Sequence, residues 1–368
     1  MHADQIEIMP KLRQAHLRHA AHYLEILRAL NQLYKQGGLA LRAGLVRFDA
    51  EWNNIQLGQA WVSSGSGDEE AAKLCSSFPR AAASLLNLRL HTSERIKWIE
   101  AGLACARRLG QRLIEGYHLT DLGLAYSAVG EIRRAVEFHE QALAIYCEVG
   151  DRKGEGAALG NLGNTHTRLN EPQRAVGYYE QALAYYREVS DRRNEGLALN
   201  NLGVAYTDLG QFERAVELLE QSLAVHREAN DLRGESNALG NLGVAYKKLG
   251  DLYRAVEHYE QQLAIARDIY DHRGEGTALN NLGLAWRERG EIWRAIECHE
   301  QALKIYREVA DRRGEGNALW NLSSSFDKLG DRLQAMAFAE ESLKIRREIN
   351  DPNAAKVQQR LERWRKMD

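Results

Sequence analysis

Gly-Glu-Gly recurs three times in this sequence, at 154–156, 274–276 and 314–316, and glycine-rich turns hold phosphate in many nucleotide-binding proteins. Each copy directly follows Asp and a basic residue and carries a carboxylate, which would repel phosphate. The sequence also contains no Gly-Lys dipeptide, so it lacks the lysine motif of a nucleotide-binding P-loop. We therefore interpret each copy as the start of a helix.

His139 and His299 are each followed by Glu, as at the beginning of the His-Glu-x-x-His motif of zinc proteases. Four residues later, where that motif requires a second histidine, the sequence has Leu143 and Leu303. Equivalent positions elsewhere hold tyrosine or leucine, which favours packing histidines over metal ligands or pH sensors. We expect no catalytic residue, no metal site, no cofactor and no enzymatic activity.

A column of asparagines is the pattern best suited to binding a partner. Asparagine is disfavoured inside helices, yet it recurs every 40 residues, directly before a leucine, at Asn161, Asn201, Asn241, Asn281 and Asn321. On a helix its side chain points about 100° away from that leucine, and an amide offers both donors and an acceptor to an extended peptide backbone. We predict that these residues line a partner-binding groove. The alternative is that they bond a neighbouring helix and stabilise stacking.

Charged residues follow the asparagines by seven positions, or two helical turns. They alternate in sign, as Arg168, Asp208, Lys248, Glu288 and Lys328. A groove that clamps one acidic peptide would show a run of Lys and Arg. We therefore predict a partner of mixed charge or a folded protein surface, the alternative being a merely solvated face.

These patterns belong to a repeat of 40 residues, whose blocks begin at Asp151, Asp191, Asp231, Asp271 and Asp311. The same frame extends back through 111–150 and, in degenerate form, through 71–110. Apolar spacing within one block predicts a helix over about 192–209 and a second to about 228, separated by Gly210. Each block is therefore a helical hairpin, and its first Asp is expected to cap the first helix.

The blocks resemble the tetratricopeptide repeat (TPR) in its 40-residue form, because they share Leu-Gly-x-x-Tyr followed by Gly, Ala and Ala-x-Leu. The sequence is similar to the repeats of spindle-orientation adaptors, kinesin light chains and the sensor regions of STAND-type signalling ATPases. The resemblance implies an all-α, right-handed α-solenoid with seven hairpins over 71–350. In TPR proteins the asparagine position resembles a ladder that holds a partner's backbone. His166 departs from the aromatic residue of this pattern, which puts the packing of that repeat in doubt.

The flanks do not repeat. Residues 1–70 carry helical apolar spacing over 12–33 and 39–62, separated by Gly37-Gly38, and 63–67 is predicted to be a flexible connector. The segment Phe48 to Trp61 resembles the helical lead-in to the TPR sensor of STAND proteins.

The C-terminal segment 351–368 is predicted to contain a capping helix over 356–366. We expect this cap to cover Leu343 and Ile345 of the last hairpin. The basic residues of the helix are either a solvated face or an interaction site.

Composition limits the class of protein. The net charge of −2 provides no basic field for nucleic acid or an anionic membrane, and the four cysteines lie too far apart in sequence for a zinc knuckle. No long apolar run or signal peptide is present, so we expect a cytoplasmic protein. The sequence thus predicts a non-enzymatic scaffold that binds a peptide or protein in a concave groove. The alternative is the ligand-sensing region of a STAND-type ATPase whose ATPase part is absent from this chain.

Overall fold

A computed structural model describes residues 2–36, 38–64, 68–81 and 83–366. Within these ranges all regular secondary structure is helical, and the chain forms two compact units, Met1–Glu171 and Pro172–Asp368. The predicted all-α solenoid of helical hairpins is confirmed.

The helices of the first unit are α1 His2–Gln36, α2 Gly38–Ser64, α3 Glu69–Ala81, α4 Ala83–Arg89, α5 Thr92–Arg108, α6 Arg112–Ala128, α7 Ile132–Val149 and α8 Arg152–Arg168. Those of the second unit are α9 Pro172–Glu188, α10 Arg192–Asp208, α11 Phe212–Glu228, α12 Leu232–Leu249, α13 Leu252–Asp268, α14 His272–Glu288, α15 Ile292–Glu308, α16 Arg312–Leu329, α17 Arg332–Glu348 and α18 Ala354–Arg365. We call the first helix of each repeat (α6, α8, α10, α12, α14, α16) an A helix and the second (α7, α9, α11, α13, α15, α17) a B helix.

Local capping chemistry sets where the repeat helices begin and end. Asp231 accepts a hydrogen bond from the Gly234 amide at 3.1 Å, and the other block-opening aspartates cap their A helices in the same way. Gly210 has φ of +75° after α10, the left-handed conformation that glycine adopts without steric cost. The predicted hairpin boundaries are therefore confirmed to within one residue.

Glycine on the A helix lets a large side chain of the B helix approach its backbone. A Cβ on Gly283 would lie 2.4 Å from Cε1 of His299, and one on Gly203 would lie 2.5 Å from Cγ of Leu219. In the last hairpin the glycine is replaced by Ser323, and the B-helix residue at the corresponding position is the small Ala339. The interhelical distance is thus maintained by complementary sizes, as close packing of an interior requires.

The N-terminal helices pack around an aromatic core within the first unit. Trp52 of α2 stacks on Trp98 of α5 with centroids 5.7 Å apart, and Phe78 of α3 meets Trp98 edge-on. The two helices predicted in 1–70 are found and are longer than expected. Ser63 and Ser64, predicted to be part of a flexible connector, instead end α2; Gly37 and residues 65–67 lie outside the described residues.

Helix α18 covers one side of the last hairpin, as predicted. Val357, Leu361 and Trp364 are buried and form one cluster with Leu343 of α17. The expectation for Ile345 is wrong, because this side chain packs in the preceding cluster with residues of α15 and α16. Two residues further along a helix, Ile345 points about 200° away from Leu343.

Candidate functional site

The recurring Arg and Glu residues form a structural network, which must be separated from any binding site. Arg227 near the end of α11 donates to Glu235 in the first turn of α12 at 2.7 Å, and also reaches Gln261 of α13 at 3.4 Å. The same Arg-to-Glu pairing eight residues apart recurs at Arg107–Glu115, Arg187–Glu195, Arg267–Glu275 and Arg307–Glu315. Glu275 and Glu315 of the Gly-Glu-Gly copies therefore each bond an arginine, a role that the fixed spacing of eight could have indicated. Glu155 has Cys147 at that spacing and bonds Arg152 instead.

The histidines of the His-Glu dipeptides are core residues. His139 and His299 are buried, and burial lowers the pKa of His139 to about 4 and that of His299 to about 3. His166 is also buried and its Nδ1 lies 2.8 Å from Oε2 of Glu171, so the departure from the aromatic pattern is accommodated by a polar contact. Across the part of the chain that the structure describes, no group of three metal-ligating side chains converges.

Two cysteines that are distant in sequence meet in the first unit. The pKa of Cys75 on α3 is raised to about 12, chiefly by burial and then by contact with the Cys105 thiol of α5. The sequence does not indicate this proximity, because 30 residues, which include α4, separate the two positions.

The asparagine column is partly buried along the A helices, and Asn321 is 9% exposed. Nδ2 of Asn241 donates to Oδ1 of Asn200 at 2.9 Å, and Nδ2 of Asn321 donates to Oδ1 of Asn280 at 2.8 Å. These two bonds join successive A helices of the second unit. They favour the stacking role at these two positions.

The residue at the partner position alternates along the repeats. The position that holds Asn200 and Asn280 is Gly160 and Gly240 in the intervening repeats. Asn281 consequently has no amide opposite it and makes no side-chain hydrogen bond to any described residue. Sequence reasoning missed Asn200 and Asn280, although their Gly-Asn alternation is visible in the sequence.

The charged residues that follow the asparagines also differ in whether they have a partner among the described residues. In the first unit Arg168 donates to the backbone oxygen of Ser127 on α6 at 2.6 Å, and in the second unit Glu288 lies 3.4 Å from Nζ of Lys247. The side chains of Asp208, Lys248 and Lys328 are exposed and have no hydrogen bond or ion pair with the described residues. Within the second unit, the amide of Asn281 and the charges of Asp208, Lys248 and Lys328 are thus not paired with any described residue.

Comparison with known families identifies the repeat. Models of the tetratricopeptide repeat match residues 117–149, 150–228, 234–308 and 287–348, which is more than half of the chain. The chain belongs to the tetratricopeptide repeat family. No curated protein sequence matches it.

Solved TPR-like structures share its fold at low sequence identity. Aspartyl phosphate phosphatase F from Bacillus subtilis is 12% identical over 90% of this chain and 94% of its own, with a TM-score of 0.64. A Rap protein complexed with Competence and Sporulation Factor is 17% identical over 95% of this chain and 98% of its own, with a TM-score of 0.59. A STAND protein with a TPR sensor, from Pyrococcus horikoshii, is 15% identical over 95% of this chain but 54% of its own, with a TM-score of 0.62.

None of the described helices is both long and apolar enough to cross a membrane. The family models that match describe repeats and name no catalytic activity.

Proposed function

We propose that this TPR chain is a non-enzymatic scaffold that binds a peptide or protein along the wall formed by its A helices, the concave side in a solenoid of this kind. The observation that carries the proposal is the contrast between two sets of polar residues. The Arg–Glu network is paired within the chain. Asp208, Lys248 and Asn281 on the A helices form no hydrogen bond or ion pair with the described part of the chain. Polar groups that stacking does not use are available to a partner.

The chemistry of these groups indicates the kind of partner. An amide such as that of Asn281 can bond both the N–H and the C=O of an extended backbone. Asp208 and Lys248 carry opposite charges one repeat apart, so a partner of mixed charge fits them better than a uniformly acidic or basic one. No cofactor, nucleic acid or membrane is required for this mode of binding.

The proposal is tested by capturing the partner from native lysate, identifying it by mass spectrometry and titrating it against variants. The triple variant Asn281→Ala, Asp208→Asn, Lys248→Gln should bind about tenfold more weakly, at roughly 0.5–1 kcal/mol per lost bond. Its thermal melt should match the parent, because none of the three side chains has a hydrogen bond or ion pair with the residues that the structure describes.

The matched control is Asn241→Ala, which breaks the bond to Asn200. This variant should lower the melting temperature, with affinity falling only as far as the folded fraction falls. Full affinity in the triple variant would remove the A-helix wall as the binding site.

A second candidate is the ligand-sensing region of a STAND-type ATPase. The Pyrococcus horikoshii protein has a TPR sensor and is similar to 95% of this chain, an extent that the Rap protein shares, so this candidate is supported by the presence of that sensor rather than by the extent of the match. The test is to read the genomic sequence upstream of the codon for Met1. A P-loop encoded in frame there supports the sensor, and a stop codon in frame there removes it.

A further inference from the structure

A cavity of about 470 Å³ lies between α14, α16 and the capping helix α18, entirely within the second unit. Two indole rings and five cationic side chains line it, together with two carboxylates: Trp320, Trp364, Arg287, Lys328, Lys356, Arg360, Arg363, Glu288 and Asp327. Its volume lies in the range of sites that hold small ligands or a few residues of a peptide.

The two carboxylates are engaged by neighbouring cations. Oδ2 of Asp327 accepts from Arg360 at 2.6 Å, and its Oδ1 lies 3.3 Å from Arg332. Glu288 is paired with Lys247. The lining therefore holds five cationic side chains against two carboxylates that are already engaged, and Glu288 also offsets part of the charge of Arg287.

Three of the cations have no counter-ion. The side chains of Lys328, Lys356 and Arg363 form no ion pair or hydrogen bond with any residue that the structure describes. They are brought to one cavity from α16 and α18, which are separated by a complete B helix in the sequence. The basic residues of α18 therefore do not share one role. Arg363 lines this cavity, whereas Arg365 pairs with Glu340 outside it.

Arg287 is the most informative of the lining residues. Its guanidinium makes one long hydrogen bond, from Nη1 to the backbone oxygen of Asn321 at 3.5 Å. The pKa of Arg287 is lowered because burial removes the charge from water. Arg287 is half-buried, and the nearby charge of Glu288 offsets part of this cost. Since Glu288 is itself paired with Lys247, a carboxylate supplied by a ligand would compensate the guanidinium further.

We propose that this cavity binds an acidic segment of the partner peptide, with its carboxylates on Arg287, Lys328, Lys356 and Arg363 and an apolar side chain against Trp320. This inference rests on the proposed function and names the chemistry of one part of that partner. A peptide fits better than a single inorganic anion because the cavity is larger than one ion and has indole surface. Lys328 and Glu288 also belong to the A-helix wall, so a chain lying along that wall reaches the cavity directly.

The test uses the full chain labelled with ¹⁵N and follows the indole N–H signal of Trp320, assigned with Trp320→Phe. The probe is a library of N-acetylated pentapeptide amides, X-Asp-X-Asp-X, where X is an equal mixture of Ala, Leu, Phe and Ser. The control library has Asn in place of both Asp residues, and inorganic phosphate is titrated separately.

The Asp library should shift the Trp320 signal at concentrations where the Asn library does not. The triple variant Lys328→Gln, Lys356→Gln, Arg363→Gln should weaken this response roughly tenfold. A control variant, Arg233→Gln, Lys304→Gln, Arg313→Gln, removes the same charge from exposed positions outside the cavity and should keep the response.

Equal shifts with the Asp and Asn libraries, or no shift with either, would overturn the proposal. If phosphate alone shifts the Trp320 signal as much as the Asp library does, the cavity is a simple anion site and the peptide assignment is overturned. Because the signal reports on Trp320 only, failure here leaves the partner titration of the wall variants standing. Full partner affinity in the wall variant, together with a positive Trp320 response, would instead remove the A-helix wall as the binding site and leave the cavity assignment standing.

Arg287→Thr provides a second measurement, since Thr207 holds the equivalent position and bonds the backbone oxygen of Gly203 at 2.9 Å. The variant should lose most of the response to the Asp library without a lower melting temperature, because it removes a half-buried charge that makes one long hydrogen bond to the described residues. A full response in Arg287→Thr would contradict the assignment of Arg287 to the ligand.

Discussion

The buried His299 should make the second unit sensitive to acid. The side chain is fully buried against Gly283, and neither ring nitrogen has a hydrogen-bond partner among the described residues. Burial, and secondarily the charge of Arg287, lowers its pKa from 6.5 to about 3. The unfolded chain therefore takes up this proton first as the pH falls, so the stabilising contribution of neutral His299 is present above pH 6.5 and is lost progressively below it.

The magnitude follows from the two pKa values. Between pH 7.5 and pH 5.0 the loss is about 2 kcal/mol, because the unfolded histidine is almost fully protonated at pH 5.0 and the folded one is not. His299→Leu removes this term. It should also raise the stability at pH 7.5 by about 1–3 kcal/mol, since two unsatisfied polar atoms leave the core.

Another repeat of the chain already has leucine at the position equivalent to His299. Leu219 holds the same position in α11, fully buried against Gly203. The reverse variant Leu219→His is the matched control and should acquire the acid sensitivity that His299→Leu loses.

The assay is urea denaturation at 25 °C followed by circular dichroism at 222 nm, at pH 7.5 and pH 5.0, for the parent and both variants. The free energy of unfolding should fall between the two pH values by about 2 kcal/mol less in His299→Leu than in the parent. His118 and His139 are buried too, but they are unchanged in every variant and cancel in this difference. An equal pH dependence in the parent and His299→Leu would refute the reasoning.

Three further stability predictions concern the ends of helices and the cap. Arg346 and Asp351 form a buried pair at 2.5 Å, so Arg346→Ala should destabilise the second unit by about 3–5 kcal/mol in urea denaturation. Ala310 has φ of +54° at the end of α15, and Ala310→Gly should raise the free energy of unfolding by about 0.5–1 kcal/mol; a lowered value would contradict strain at this residue. Deleting 352–368 should expose Leu343 and promote self-association, and light scattering that reports a monomer with an unchanged melting temperature would argue against capping.

The repeat is the part of this protein that sequence alone could determine. Hairpin boundaries follow from local chemistry, because Asp191 supplies a cap, Gly210 permits a positive φ, and apolar residues between them recur with the helical period. Forty-residue recurrence then repeats the same local solution, so the solenoid fold follows without knowledge of distant contacts.

Where a polar side chain finds its partner was decided by the tertiary structure. Asn241 and Asn281 hold the same position of the repeat, but of the two only Asn241 meets an amide. The residue opposite Asn241 on the preceding A helix is Asn200, whereas the residue opposite Asn281 is Gly240. Ile345 was misplaced for a related reason: its apolar character indicated burial but not which neighbour covers it.

The cavity beside α18 depends wholly on packing. Arg287, Lys328 and Arg363 come from three helices, and no spacing in the sequence places them together. Local capping and periodicity act over a few residues, so they fix the helices and their register. The way in which the capping helix packs on α17 depends on long-range burial of Leu361 and Trp364, and this packing brings the cations to one site.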